Sequence, residues 1–149
     1  MYVVDNNSPT PLGWTSDPDM TVIRNTSRHS VSGLNFGFYH SLYKSGRNHE
    51  YVVNIDNDVI CKENWLDSLV KEMEGHPNTG VCGGKQWKKE DKDFYSVGSD
   101  LTGYIYRSQP TERTEVHWLQ GSFHMYRADM MRRIGLHDTR FQDYCSDSD

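Results

Sequence analysis

A chain of 149 residues is long enough for one domain with a hydrophobic core. At 35% hydrophobic, 25% charged and 12% aromatic it is polar but not of disordered composition, because disordered segments are poor in aromatics. A formal net charge of -5 leaves no basic footprint for nucleic acid, and no apolar stretch reaches membrane-spanning length.

The N-terminus, "MYVVDNNSP", lacks the basic-then-apolar design of a signal peptide. The sequons at Asn6 and Asn25 therefore carry no weight. A cytoplasmic chain is expected, with a peripheral position at a membrane left open. Cys61, Cys82 and Cys145 are odd in number, widely spaced and free of any Cys-x-x-Cys. Buried free thiols are expected rather than a disulfide framework or a structural zinc site.

In chain order, "YVVDNNS" reads as a short buried strand stopping at Asp5, followed by a loop rich in Asn, Ser, Pro and Gly. "TVIRN", Thr21 to Asn25, is a second short strand rich in β-branched residues. From Ser32 to Ser45, Leu34, Phe38, Leu42 and Tyr43 fall near helical spacing, with Gly46 as the stop. "EYVVNI" is the third strand. "KENWLDSLVKEMEGHP" is the clearest helix: Trp65, Leu66, Leu69, Val70 and Met73 form one apolar stripe, Asn64 is a candidate N-cap, and Gly75 with Pro77 ends it. "TGVCGGKQW" is a fourth strand.

This strand and helix rhythm predicts βαβ units and a parallel sheet covered by helices. Beyond Trp87, alternating aromatics suit a hairpin or small antiparallel section, with a mobile loop near Gln109 to Glu115. "FHMYRADMMRRIG" resumes as a strand leading into a short helix, with Asp129 at its start and Gly135 at its end. His124 reads as a packed or edge histidine, and His137 as a turn residue.

Three carboxylates stand out. Asp5 follows "YVV", and Asp56 and Asp58 follow "YVVN", where an open α/β sheet places its ligand site. Paired carboxylates there are hard oxygen ligands suited to Mg²⁺ or Mn²⁺ and to substrate phosphates. The plainer readings are that Asp5 caps a turn with Asn6, Asn7 and Ser8, and that Asp58 caps a helix. Two close carboxylates repel and call for a cation or a proton, which favours a functional role for Asp56 and Asp58 together.

Three chemistries compete for the pair. A calcium loop of EF-hand type needs an oxygen ligand at its fifth position and Gly at its sixth. Counted from Asp56 these are Ile60 and Cys61, so that reading fails. A phosphatase of the haloacid-dehalogenase type would use Asp56 as nucleophile and Asp58 as acid/base. Its motif belongs in the first strand of its domain, however, and here two strands precede it. The third is transfer of a sugar from a nucleotide donor.

For that third reading, "VVDNNSP", "VSGLNFGF", "NIDNDV", "WLQGSFHMYRADMMRRIGLHDTRF" and "DYCSDSD" occur in an order and spacing that resemble the inverting family 2 glycosyltransferases. The resemblance implies a GT-A fold: a Rossmann-like three-layer α/β/α domain with a mostly parallel central sheet. It spans nearly the whole chain as one partial domain, residues 1–149. Residues 1–87 would form the nucleotide-sugar-binding part, and 88–149 the part that binds the acceptor and carries the base.

Carried over residue by residue, Asp5 matches the acidic residue that contacts the nucleotide base. Gly33, Asn35 and Gly37 match the pattern that shapes the nucleotide pocket. Asp58 matches the metal-binding carboxylate of the Asp-x-Asp motif, and Asp56 its more variable partner facing the ribose or a metal-bound water. Gln120, Gly121 and Ser122 fall where the family builds its donor-sugar and acceptor floor. Asp147 matches the catalytic base.

The resemblance also implies Mg²⁺ or Mn²⁺, a nucleotide diphosphate sugar donor, and a saccharide, lipid-linked or protein acceptor. Departures accompany it. The family's Arg before the Asn of the second motif is Leu34 here, and the Glu beside the base is Ser146. The family's first strand and helix have no counterpart, and the chain looks cut at both ends. A fragment is therefore expected, and a non-catalytic remnant that binds nucleotide or carbohydrate is the further alternative.

Overall fold

The computed structural model describes residues 1–13, 15–84, 87–88, 93–94, 98–99, 113, 115–116, 118–119 and 121–141. They form two compact units, one of Met1–Val52 with the residues from Ala128 onward, the other of Val53–Arg127.

In the first unit, the β-branched runs become strands β1 (Tyr2–Asn6) and β2 (Thr21–Asn25). They pair in parallel, with Asp5 opposite Arg24 and Asn6 opposite Asn25. Helix α1 (Ser30–Tyr39) follows and continues as a π-helical turn, His40–Lys44, before Gly46 stops it in the left-handed region at φ 69°. Two glycines one turn apart let α1 lie close to β1. A Cβ on Gly33 would come within 2.8 Å of Asn6 Cγ, and one on Gly37 within 3.0 Å of Val4 Cγ2. Val31, Phe38 and Leu42 are buried. Helix α3 (Ala128–Ile134) adds Ala128 and Met131 to the buried set and ends at Gly135, φ 96°.

In the second unit, helix α2 (Trp65–Gly75) buries Leu69 and Met73, four residues apart on one face. Leu66, expected in that stripe, is exposed. Asn64 stands at the N-cap position but takes a left-handed backbone, φ 58°, and makes no side-chain cap. Its carbonyl instead accepts from the Ser68 amide and hydroxyl.

Strand β3 (Tyr51–Ile55), which the boundary between the units crosses, stands in a three-stranded sheet of order β3, β9 (Phe123–Arg127), β4 (Val81–Gly83). The first four residues of β9 are all buried, as a central strand requires, and Trp65 meets Phe123 edge to face at 5.2 Å. Arg127 closes the far end of α2. Its guanidinium donates to the carbonyls of Met73 in the last turn and of His76 and Thr79 just beyond it.

The expected mostly parallel central sheet is not confirmed by the described pairs. β1 with β2 is parallel, but β4 with β9, β5 (Trp87–Lys88) with β6 (Asp93–Phe94), and β7 (Gly98–Ser99) with β8 (Trp118–Leu119) are antiparallel. Spacing between apolar runs reports that strands exist, not which edge each one chooses. The short antiparallel section expected after Trp87 is present. Most of the loop expected at residues 109–115 lies outside the described residues, as does Cys145. Cys82 is buried, and Cys61 is half-buried.

Candidate functional site

In the first unit, Asp5 sits at the carboxyl end of β1 and is only 2% exposed. Its Oδ1 accepts the Ser8 amide at 2.9 Å, and its Oδ2 accepts the Leu12 amide at 3.2 Å and Arg24 Nη1 at 2.6 Å. These contacts, with the Ser8 amide and hydroxyl foremost, hold its carboxyl down at about 2 against an ordinary 3.8. A carboxylate has about four acceptor positions, and these three protein donors are directed at them here. Asp5 thus holds the turn it begins.

Arg24 was not singled out by sequence, although a lone cation in a β-branched strand was a visible signal. Its Nη2 donates to Asn7 Oδ1 and to the Ser8 carbonyl. Beside it, the buried Asn25 donates to Asn6 Oδ1 at 2.7 Å and to Ser32 Oγ, while Asn6 Nδ2 donates to the His29 carbonyl.

Gly33 and Gly37 serve the close approach of α1 to β1. Asn35 spends both ends of its amide on one residue. Nδ2 donates to the His137 carbonyl at 2.7 Å, and Oδ1 accepts the His137 amide at 3.0 Å. The His137 ring stacks on Phe38, centroids 5.9 Å apart and planes 13° from parallel. Next to it, Asp138 pairs with Arg140, whose donors hold that carboxyl below its ordinary range.

In the second unit, Asp56 and Asp58 are exposed on the turn that ends β3. The Asp56 amide donates to the Ser122 carbonyl at 2.9 Å, the Val59 amide donates to the Asp56 carbonyl, and Asn54 Nδ2 donates to the Gly121 carbonyl. The structure therefore brings Gly121 and Ser122 against the turn that carries the paired carboxylates. Asn54 is the link that sequence reading left without a role; a polar residue within "YVVNI" was its signal. Helix α2 begins at Trp65, so Asp58 does not cap it.

Among the described residues no group of three or more His, Cys, Asp and Glu is gathered to hold a metal by itself. Two exposed carboxylates one residue apart still fit Mg²⁺ or Mn²⁺ in the manner of ions that take one or two carboxylates and complete their shell with water and phosphate oxygens. Gln120 and Asp147 lie outside the described residues. His124 is buried on β9 with its Nδ1 2.9 Å from the Tyr126 hydroxyl, a packed histidine as expected. No helix among the described residues is long and apolar enough to cross a membrane.

The model of a protein family described as glycosyl transferase family 2 matches residues 1–135. No individual curated protein matches the chain.

Proposed function

The chain belongs to glycosyl transferase family 2, which implies a GT-A fold, and we propose that it moves a sugar from a nucleotide diphosphate donor to an acceptor hydroxyl with inversion. The observation that carries this reading is the exposed Asp56–Asn57–Asp58 turn at the end of β3, within the matched residues and tied by the Asp56 amide to the Ser122 carbonyl.

Asp58 is the proposed ligand of Mg²⁺ or Mn²⁺, with Asp56 in support toward the ribose or a metal-bound water. A bound divalent cation would neutralise the negative charge that develops on the departing diphosphate. Asp5, Gly33 and Asn35 would shape the nucleotide pocket as supports: Asp5 by holding the loop after β1, Gly33 by letting α1 approach β1, and Asn35 by holding His137. Gln120 and Gly121 would floor the donor sugar and the acceptor.

Inversion by single displacement needs a base that takes the acceptor hydroxyl's proton from the face opposite the leaving group, and Asp147 is assigned that role. Residues 1–87 would then serve the donor, and 88–149 the acceptor and base. The acceptor would be a saccharide, a lipid-linked glycan precursor or a protein. The dehalogenase-type phosphatase gains nothing here, because the matched residues include the two strands before β3 that it leaves unexplained.

The test is donor consumption in the presence of Mn²⁺, comparing the chain with Asp147→Asn. Loss of turnover with nucleotide binding retained supports the assignment. Undiminished turnover means that the base lies elsewhere.

A further inference from the structure

The loop after β1 is held from one direction by a residue on its neighbouring strand. Register alone puts Arg24 opposite Asp5. From there its guanidinium reaches three acceptors that all belong to this turn: Asp5 Oδ2 at 2.6 Å, Asn7 Oδ1 at 3.2 Å and the Ser8 carbonyl at 3.0 Å. Asn7 has a left-handed backbone, φ 60°, a region that Asn enters more readily than most residues. Asp5 meanwhile gathers the amides of Ser8 and Leu12, so the loop is tied at three points along its length.

A planar guanidinium suits this work. Its several donors keep a fixed fork, whereas a lysine would reach one acceptor at a time. The ion pair is not a solvated surface contact of little worth, because the Asp5 side chain is only 1% exposed although the Arg24 side chain is 39% exposed. Removing Arg24 leaves a buried carboxylate with one donor fewer and returns two exposed loop acceptors to water.

We propose that Arg24 is a positioning residue for donor binding: with Asp5 it latches the Asn7–Leu12 loop in the shape that receives the nucleotide. The inference rests on the glycosyltransferase reading above. It assigns Arg24 a part in affinity for the nucleotide and none in holding the cation or in the transfer step.

The test compares the wild-type chain with Arg24→Gln, Arg24→Lys and Asp58→Ala. UDP, GDP, CDP and ADP are titrated with and without Mn²⁺, and amide hydrogen exchange is followed at Ser8 and Leu12. With Arg24→Gln, affinity for the best-bound nucleotide falls roughly fivefold or more whether or not Mn²⁺ is present, the size of an ordinary coupling between a support and a site. Both amides exchange faster by about tenfold or more. Arg24→Lys restores part of each, whereas Asp58→Ala removes only the gain that Mn²⁺ confers.

Unchanged affinity in Arg24→Gln overturns the latch while leaving the glycosyltransferase reading intact. Tighter binding also overturns it, since Arg24 would then occupy the nucleotide's own place. Unprotected Ser8 and Leu12 amides in the wild-type chain overturn it even if Arg24→Gln does not fold. If the wild-type chain binds none of the four nucleotides, the donor role fails with the functional reading, and the exchange data alone decide whether the loop is latched.

Discussion

Asn35 and His137 are 102 positions apart in sequence and joined in both directions, the side-chain amide of one giving and taking a hydrogen bond with the backbone of the other at 2.7 and 3.0 Å. The pairing fixes the turn that follows α3 to the middle of α1. Asn35→Ala leaves a part-buried amide and carbonyl unserved and should cost about 1–3 kcal/mol. Asn35→Asp keeps the acceptor but sets a carboxylate oxygen against the His137 carbonyl, so it should cost at least as much. Urea unfolding of both variants measures this, and equal stability in all three proteins would show that water replaces the clasp without cost.

Acid should reveal the Asp5 network. Its carboxyl is held at about 2 against an ordinary 3.8, so folding favours the charged form. The sign follows from linkage: the contribution is complete above about pH 4 and is lost as the pH falls toward about 2. Asp5→Asn should be less stable at neutral pH and should lose this part of the acid dependence. An unchanged acid limb in the variant would place its cause at other carboxyls.

The thiols should separate by reactivity. Burial, with help from Glu72, pushes the Cys82 thiol up to about 11. At pH 8 roughly one molecule in a thousand would carry the thiolate, the form that reacts. Iodoacetamide under native conditions should therefore modify the half-buried Cys61 well before Cys82, as read by peptide mass. Prompt labelling of Cys82 would mean that the sheet around β4 opens readily.

Two packing changes probe one unit each. Met73 is fully buried on α2, and Met73→Ala should destabilise the second unit by about 2–5 kcal/mol. Gly33→Ala places a methyl 2.8 Å from Asn6 Cγ, a side chain already committed to Asn25 and His29. It should cost the first unit about 1–3 kcal/mol and shift the Asn6 amide resonance. A neutral Gly33→Ala would show that α1 can move away from β1.

Local pattern made much of this legible. The runs at Tyr2, Thr21 and Tyr51 became strands because their β-branched residues suit a pleated surface, and Leu69 and Met73 marked the buried face of α2 by their spacing. Asp58 and Asp56 stood out because two acids after an apolar strand need a reason, and the structure places both exposed at the end of β3. Partners across long separations were not. Nothing near Asn35 points to His137, and nothing near Asn54 points to Gly121, because those bonds exist only after the chain has folded back. Asn64 misled because its residue type suits a cap, while its left-handed backbone aims the side chain away from one. The antiparallel partner of β4 was likewise settled by topology rather than by the composition of "VCG".

The glycosyltransferase account stands on Asp58, and calorimetric titration of the chain with nucleotide diphosphates, with and without Mn²⁺, tests it most directly. The account predicts binding that Mn²⁺ strengthens and an Asp58→Ala variant in which that strengthening is gone. Hydrolysis of a generic phosphomonoester that disappears in Asp56→Asn, with nucleotide binding indifferent to Mn²⁺, would contradict it.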